Sequence, residues 1–159
     1  MANPVKIPAM QKAEYDALIE RQYVCRIAFE GKGHPYIAPF MYIFDQQHLY
    51  FLSTKYGRKI EYMAANPGVS VEIEEYKPDL STFTFVSLQG RLEEVVDPAR
   101  KKKVRQQFVG MIARNRLSRH ALTALGHRPD ESPDVLVREE HSVVWKLVDV
   151  KDIVALKNG

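Results

Sequence analysis

The residues best suited to chemistry in this chain are concentrated between Leu49 and Ile60, in the run LYFLSTKYGRKI. Two hydroxyls, Ser53 and Thr54, end an apolar stretch, and Lys55, Arg58 and Lys59 follow around Gly57, where a helix is expected to begin. A helix N-terminus with hydroxyls and cations offers what a phosphate dianion needs: N–H donors, a favourable dipole and compensating charge. The first turn of a helix ordinarily prefers acids, so basic residues there oppose the dipole unless an anion lies between them. The same residues would also make a solvated strand-to-helix junction.

Other reactive residues form weaker patterns. The five histidines (His34, His48, His120, His127 and His141) have no H-E-x-x-H or other paired ligand spacing, so no metal is expected. Cys25 is the only cysteine, which excludes an intrachain disulfide and a cysteine cluster. It sits on an alternating apolar strand and reads as core rather than nucleophile. Gly31 and Gly33 lack the third glycine and following helix of a dinucleotide fingerprint and read as a turn. Residues 98–129 carry nine Lys/Arg and no acid, leaving fourteen bases against twenty acids elsewhere. Such a segment is either a solvated helix face or a phosphate-contacting surface. Phe108 belongs to its apolar stripe and no stacking platform accompanies the arginines, which argues against nucleic acid.

Elements that would position the 49–60 run follow from periodicity. The 159 residues, 45% hydrophobic and 27% charged, fit one globular domain over 1–159. The N-terminus Met1-Ala2-Asn3-Pro4 lacks the layout of a signal peptide. The longest apolar stretch, 36–44, is too short to span a bilayer and is broken by Pro39. A cytoplasmic protein without membrane contact is therefore expected.

A helix is expected over 10–22, then a strand at 24–29 with Cys25, Ile27 and Phe29 on one face. A turn at 31–35 leads to an almost wholly apolar strand, 36–44, which is either buried on both faces or lines an apolar ligand site. A third strand at 49–53 completes an antiparallel meander. A connector helix ends at Asn66-Pro67-Gly68, an alternating strand covers 69–76, and a long strand at 83–96 contains a bend at Gly90. Asp97-Pro98 opens a basic helix whose Val104, Phe108, Met111 and Ile112 form one stripe. A helical piece at 118–125 stops at Gly126, 128–133 is a loop, and 143–148 is the last strand. About six strands with short connections and a few inserted helices indicate a small barrel with helical caps, mainly β with inserted helices.

The segments Pro35–Tyr42 (PYIAPFMY), Leu49–Thr54 (LYFLST), Gly57–Ile60 (GRKI) and Asn66–Val69 (NPGV) resemble the FMN-binding split-barrel family of pyridoxamine-phosphate oxidase and the nitroimidazole-resistance flavoproteins. The resemblance spans residues 10–97 and implies a six-stranded antiparallel split β-barrel. It implies that the strand from Ala38 through Pro39, Phe40 and Met41 to Tyr42 lies along a flavin ring, with Leu52 beside it. Ser53 and Thr54 would meet the ribityl chain or phosphate, and Arg58 with Lys59 would pair the phosphate. Trp145 would pack in the barrel or stack on the ring. A homodimer with FMN at the subunit interface and a small-molecule substrate are implied, with a deazaflavin or haem as substitutes for FMN.

Three departures narrow the activity. Leu52 stands where the nitroimidazole-resistance branch often has histidine. Phe85 stands where the pyridoxamine-phosphate oxidases have glutamine, and the tail after Trp145 contains no arginine. These point away from vitamin B6 oxidation toward a general flavin oxidoreductase, in which a reduced nicotinamide or deazaflavin donor supplies electrons to a small organic acceptor. The alternative is a flavin or haem carrier without turnover. No side chain stands out as an obligatory acid or base.

Overall fold

In the computed structural model, which describes residues 2–31, 33–138 and 140–159, six antiparallel strands close into a barrel. Around the barrel they run β1 (Val24–Phe29), β2 (Tyr36–Phe44), β3 (Leu49–Thr54), β6 (Ser142–Asn158), β5 (Phe83–Glu94) and β4 (Gly68–Tyr76). The first three strands form the expected meander. Closure comes from three long-range pairings: β4 returns to β1, and β6 bonds to both β3 and β5. In the turn between β1 and β2, Lys32 lies outside the described residues.

Period-two alternation sorts the side chains into two cores. Cys25, Ile27, Phe29, Phe40, Tyr42, Phe51, Val71, Ile73, Val86, Leu92 and Trp145 fill the barrel interior. Rings dominate it: the Trp145 centroid lies 6.0 Å from Phe40 and 6.3 Å from Phe29. The second core lies outside the barrel wall, where Ile43, Tyr50, Leu52 and Val144 meet the stripe Val104, Phe108, Met111 and Ile112 of the basic helix (Pro98–Arg114). Asp97 caps that helix by accepting from the Arg100 N–H at 2.9 Å. A 3-10 helix (Arg119–Leu125), capped by Ser118 and ended by a left-handed Gly126, adds Leu122 and Leu125 to the same core.

The amino-terminal helix (Lys12–Arg21) starts later than the expected residue 10, because the Met10 N–H is bound instead to the Ala155 carbonyl at 2.8 Å. It closes one side of the barrel with buried Leu18 and Ile19, and the Tyr42 hydroxyl donates to the Ile19 carbonyl at 2.6 Å. The connector helix (Arg58–Ala65) lies where it is expected and ends at Asn66, whose side chain accepts from the Gly68 N–H at 2.9 Å. The short helix Val135–Arg138 has no counterpart in the sequence reading.

The last strand extends to Asn158, well beyond the expected 143–148. Its charged stretch 149–152 lies beyond the expected strand, and a bulge absorbs it: Arg91 pairs with Val148 while Gln89 pairs with Asp152. Asp149 adopts φ 52° there. Gly90 is required by the close approach, since a Cβ would lie 2.8 Å from the Val148 carbonyl oxygen. The bend expected at Gly90 is thus a bulge shared with the neighbouring strand.

Candidate functional site

A cavity of about 270 Å³ opens on the barrel wall where β2 and β3 run side by side beneath the 3-10 helix. Eight residues expected at a site line it: Ala38, Pro39, Phe40 and Met41 from β2, Leu52, Ser53 and Thr54 from β3, and Lys59 from the connector helix. Pro39 and Met41 are on the outer face of β2, whereas Ala38 and Phe40 belong to the interior cluster, so the cavity follows the strand itself. Its roof is Ala121, Ala124 and Leu125, and Val24 forms one edge. The sequence reading missed these four, because small apolar residues far away in the chain carry no local signal of a shared wall.

Three expected residues stand elsewhere. Tyr42 is on the inner face of β2, 1% exposed, with its hydroxyl engaged at Ile19. Trp145 is also 1% exposed and packs among the rings of the barrel interior, so it does not line the cavity. In both cases strand parity decides: their neighbours in sequence face outward, and they face in. Arg58 is exposed at the first position of the connector helix, outside the lining.

The polar end of the cavity has a definite electrostatic character. Ser53 and Thr54 are buried. The Ser53 hydroxyl donates to the Thr54 carbonyl at 2.9 Å, and the Thr54 hydroxyl donates to the Tyr56 carbonyl at 3.2 Å. No side chain caps the connector helix, whose N-cap is Gly57 at φ 105°. Lys59 has no ion-pair partner among the described residues, and partial burial lowers its ammonium pKa from the ordinary lysine value. An unpaired, partly desolvated cation beside an uncapped helix start and two hydroxyls is suited to an anion.

A larger open groove of about 840 Å³ lies along β1, β4, β5 and the bulge of β6. Most of its charged groups are already engaged: Arg91 holds Asp149 with two donors at 3.0 and 2.7 Å, and Asn66 donates to Glu30 at 2.8 Å, while its remaining cation, Lys151, is exposed to solvent. The smaller cavity is the better candidate because its partly buried cation and its helix terminus are not engaged. Among the described residues no group of three or more His, Cys, Asp or Glu could hold a metal ion. None of their helices is long and apolar enough to cross a membrane.

Cys25 lies in the barrel interior, and burial pushes its thiol pKa well up, so it is inert in the folded chain. The basic helix presents Arg100, Lys102, Lys103 and Arg114 to solvent without ion pairs among the described residues. Arg105 breaks that pattern: it is buried, at 2% exposure.

An uncharacterized protein of Rhizobium meliloti is 29% identical over 89 residues, a match covering 56% of this chain and 58% of that protein's length. Among solved structures, a FAD-binding protein from Mesorhizobium loti superposes with a TM-score of 0.69 at 24% identity, over 98% of this chain and 100% of that chain. The haem storage protein of Vibrio cholerae does so with a TM-score of 0.66 at 15% identity, over 92% of this chain and 94% of that chain. These likenesses are of fold. The model of the family described as pyridoxamine 5'-phosphate oxidase matches residues 11–140, which include all six β-strands except the last together with every residue lining the cavity, and the chain belongs to that family.

Proposed function

We propose that the protein is a flavin-dependent oxidoreductase that binds FMN in the cavity along β2 and β3. The observation that carries this reading is the unpaired, partly buried Lys59 at one end of an otherwise apolar cavity, beside Ser53, Thr54 and an uncapped helix start. An amphiphilic ligand with a flat apolar body and a phosphate tail matches that polarity. The Mesorhizobium loti relative described as FAD-binding supports a flavin. A deazaflavin has the same polarity and is the nearest substitute.

When bound, the flavin supplies the electron-transfer chemistry, accepting from a reduced nicotinamide or deazaflavin donor and passing to a small organic acceptor. The chain's own part is binding and orientation. The wall from Ala38 to Met41 holds the ring, and Leu52 keeps water from its face. Lys59 and the first-turn N–H groups hold the phosphate, with Arg58 at the exposed rim. The hydroxyls of Ser53 and Thr54 turn from their carbonyl partners to phosphate oxygens, an exchange that costs little because each hydroxyl rotates freely about its own bond.

At about 270 Å³ the cavity is small beside the roughly 300–1,000 Å³ usual for such ligands. Val24, 45% exposed, lines it, and Ile37, 63% exposed, lies on the same face of β2 two positions before Pro39. A second copy of the chain, covering these residues and completing the site, accounts for both features. Haem is less suited, since among the described residues no histidine, cysteine or tyrosine lines the cavity to ligate iron, and Met41, the one methionine in that lining, is a weak sole ligand.

Calorimetric titration with FMN, FAD and riboflavin tests the reading. FMN is expected to bind well above riboflavin, which lacks the phosphate. Equal affinities would remove the phosphate site, and a preference for FAD would reassign the cofactor. Sedimentation at micromolar concentration should give a dimer; a folded monomer that binds flavin would overturn the shared site. Anaerobic bleaching of the flavin band by a reduced nicotinamide or deazaflavin donor tests turnover, and its absence with every donor would leave a binding protein.

A further inference from the structure

We propose that Arg105 is a positioning residue that holds the phosphate end of the cavity in its binding geometry, an inference that rests on the flavin-phosphate reading above. Arg105 reaches no ligand itself. Its Nη1 donates to the Ser142 hydroxyl at 3.0 Å and to the Leu136 carbonyl at 3.3 Å, and its Nη2 donates to the Ser142 carbonyl at 2.6 Å. Ser142 begins β6 and is the cross-strand partner of Thr54, the last residue of β3. The guanidinium therefore grips, from behind, the rung whose other member is a hydroxyl of the cavity wall.

The arrangement is costly enough to need a reason. A buried charge is ordinarily matched by a carboxylate, and an apolar side chain of similar volume would often be at least as stable in its place. Among the described residues every acceptor of Arg105 is neutral, and its Nε has no partner. Glu140 favours its charge from a distance but is itself paired with Lys101 at 3.3 Å. Burial accordingly lowers the guanidinium pKa, although the group stays charged.

Two properties are then left for the guanidinium that no leucine or methionine supplies. Its fork spans both the hydroxyl and the carbonyl of one residue, fixing where β6 begins against Thr54. Its charge, unneutralised in a medium of low dielectric, favours an anion on the far side of that rung. Both act on the phosphate end of the cavity and neither acts on the apolar end, where Pro39, Met41 and Leu52 lie.

The test compares FMN with riboflavin, because a residue that only supports the fold would affect both alike. In Arg105→Gln, FMN affinity should fall about tenfold, while riboflavin affinity stays within about twofold. Arg105→Lys, which keeps the charge and loses the fork, should lie between the variant and the wild type. Parallel weakening of both ligands, or no change in either, would overturn the proposal. Should neither Arg105 variant fold, Ser142→Ala decides: it removes one acceptor and keeps the main-chain contact, and a lowered preference for FMN is expected where an unchanged preference would refute the role. A wild-type chain with no preference for FMN would instead overturn the phosphate site itself, and this proposal with it.

Discussion

Lys59 and Ser53 line one cavity from different elements, the lysine from the first turn of the connector helix and the serine from the end of β3. Only the loop at residues 55–57 separates these elements, so a short local segment delivers a cation and a hydroxyl to the same side of the barrel wall. Because the cation lacks a carboxylate partner, its protonation state responds directly to whatever occupies the cavity.

That response has a sign. Burial lowers the Lys59 pKa, so the unfolded chain binds more protons than the folded one in the range just below the ordinary value of 10.5. The free protein therefore gains stability from this group as pH rises through that range. FMN binding runs the other way, since the phosphate favours the charged lysine and affinity is lost as Lys59 deprotonates. Titrations between pH 7 and 10 should show FMN affinity falling with pH while riboflavin affinity stays flat, and Lys59→Arg should flatten the FMN profile.

Removing the cations separately should rank them. Lys59→Ala should weaken FMN by about 1.5–3 kcal/mol, the worth of a charge-assisted hydrogen bond. Arg58→Ala should cost about 0–1 kcal/mol, because its exposed guanidinium competes with water and salt. Calorimetry on the two variants reads the difference, and an Arg58 effect equal to that of Lys59 would move the phosphate outward.

Tyr42→Phe tests an architectural role. It leaves the Ile19 carbonyl without its 2.6 Å donor in a buried setting, which should cost about 1–3 kcal/mol. Urea denaturation should register that loss. FMN affinity should stay within about twofold, because the hydroxyl faces the amino-terminal helix and not the cavity.

Trp145 should behave likewise. Trp145→Ala should destabilise the barrel by about 3–5 kcal/mol through the void left among Phe29, Phe40 and Phe51. Trp145→Phe should lower Tm less and leave flavin affinity unchanged. A large loss of affinity in the phenylalanine variant would return the indole to the cofactor site.

Cys25 gives a probe of the barrel itself. At 1% exposure, with its thiol pKa raised by burial, it should resist a thiol reagent in the native protein and react at once in denaturant. Rapid labelling without denaturant would mean that β1 opens readily.

The elements and the polar end of the candidate cavity were readable from the chain because both depend on neighbours in sequence. Alternation at 24–29 and 69–76, the stripe from Val104 to Ile112 and the hydroxyl-cation run from Ser53 to Lys59 are short-range patterns, and each occurs as an element or a wall of the site. Tertiary structure decided what depends on distant pairing. Tyr42 and Trp145 turned inward because strand parity is set by the partners across the ladder, and composition leaves that choice open. The 149–152 segment became strand because β5 offered it a bulged ladder despite its charges. Ala121, Ala124 and Leu125 became a cavity roof only when the basic helix carried the chain back over β3. Arg105, one base among nine in its sequence segment, was separated from the rest by the fold, which buried it against Ser142 on the strand that completes the barrel.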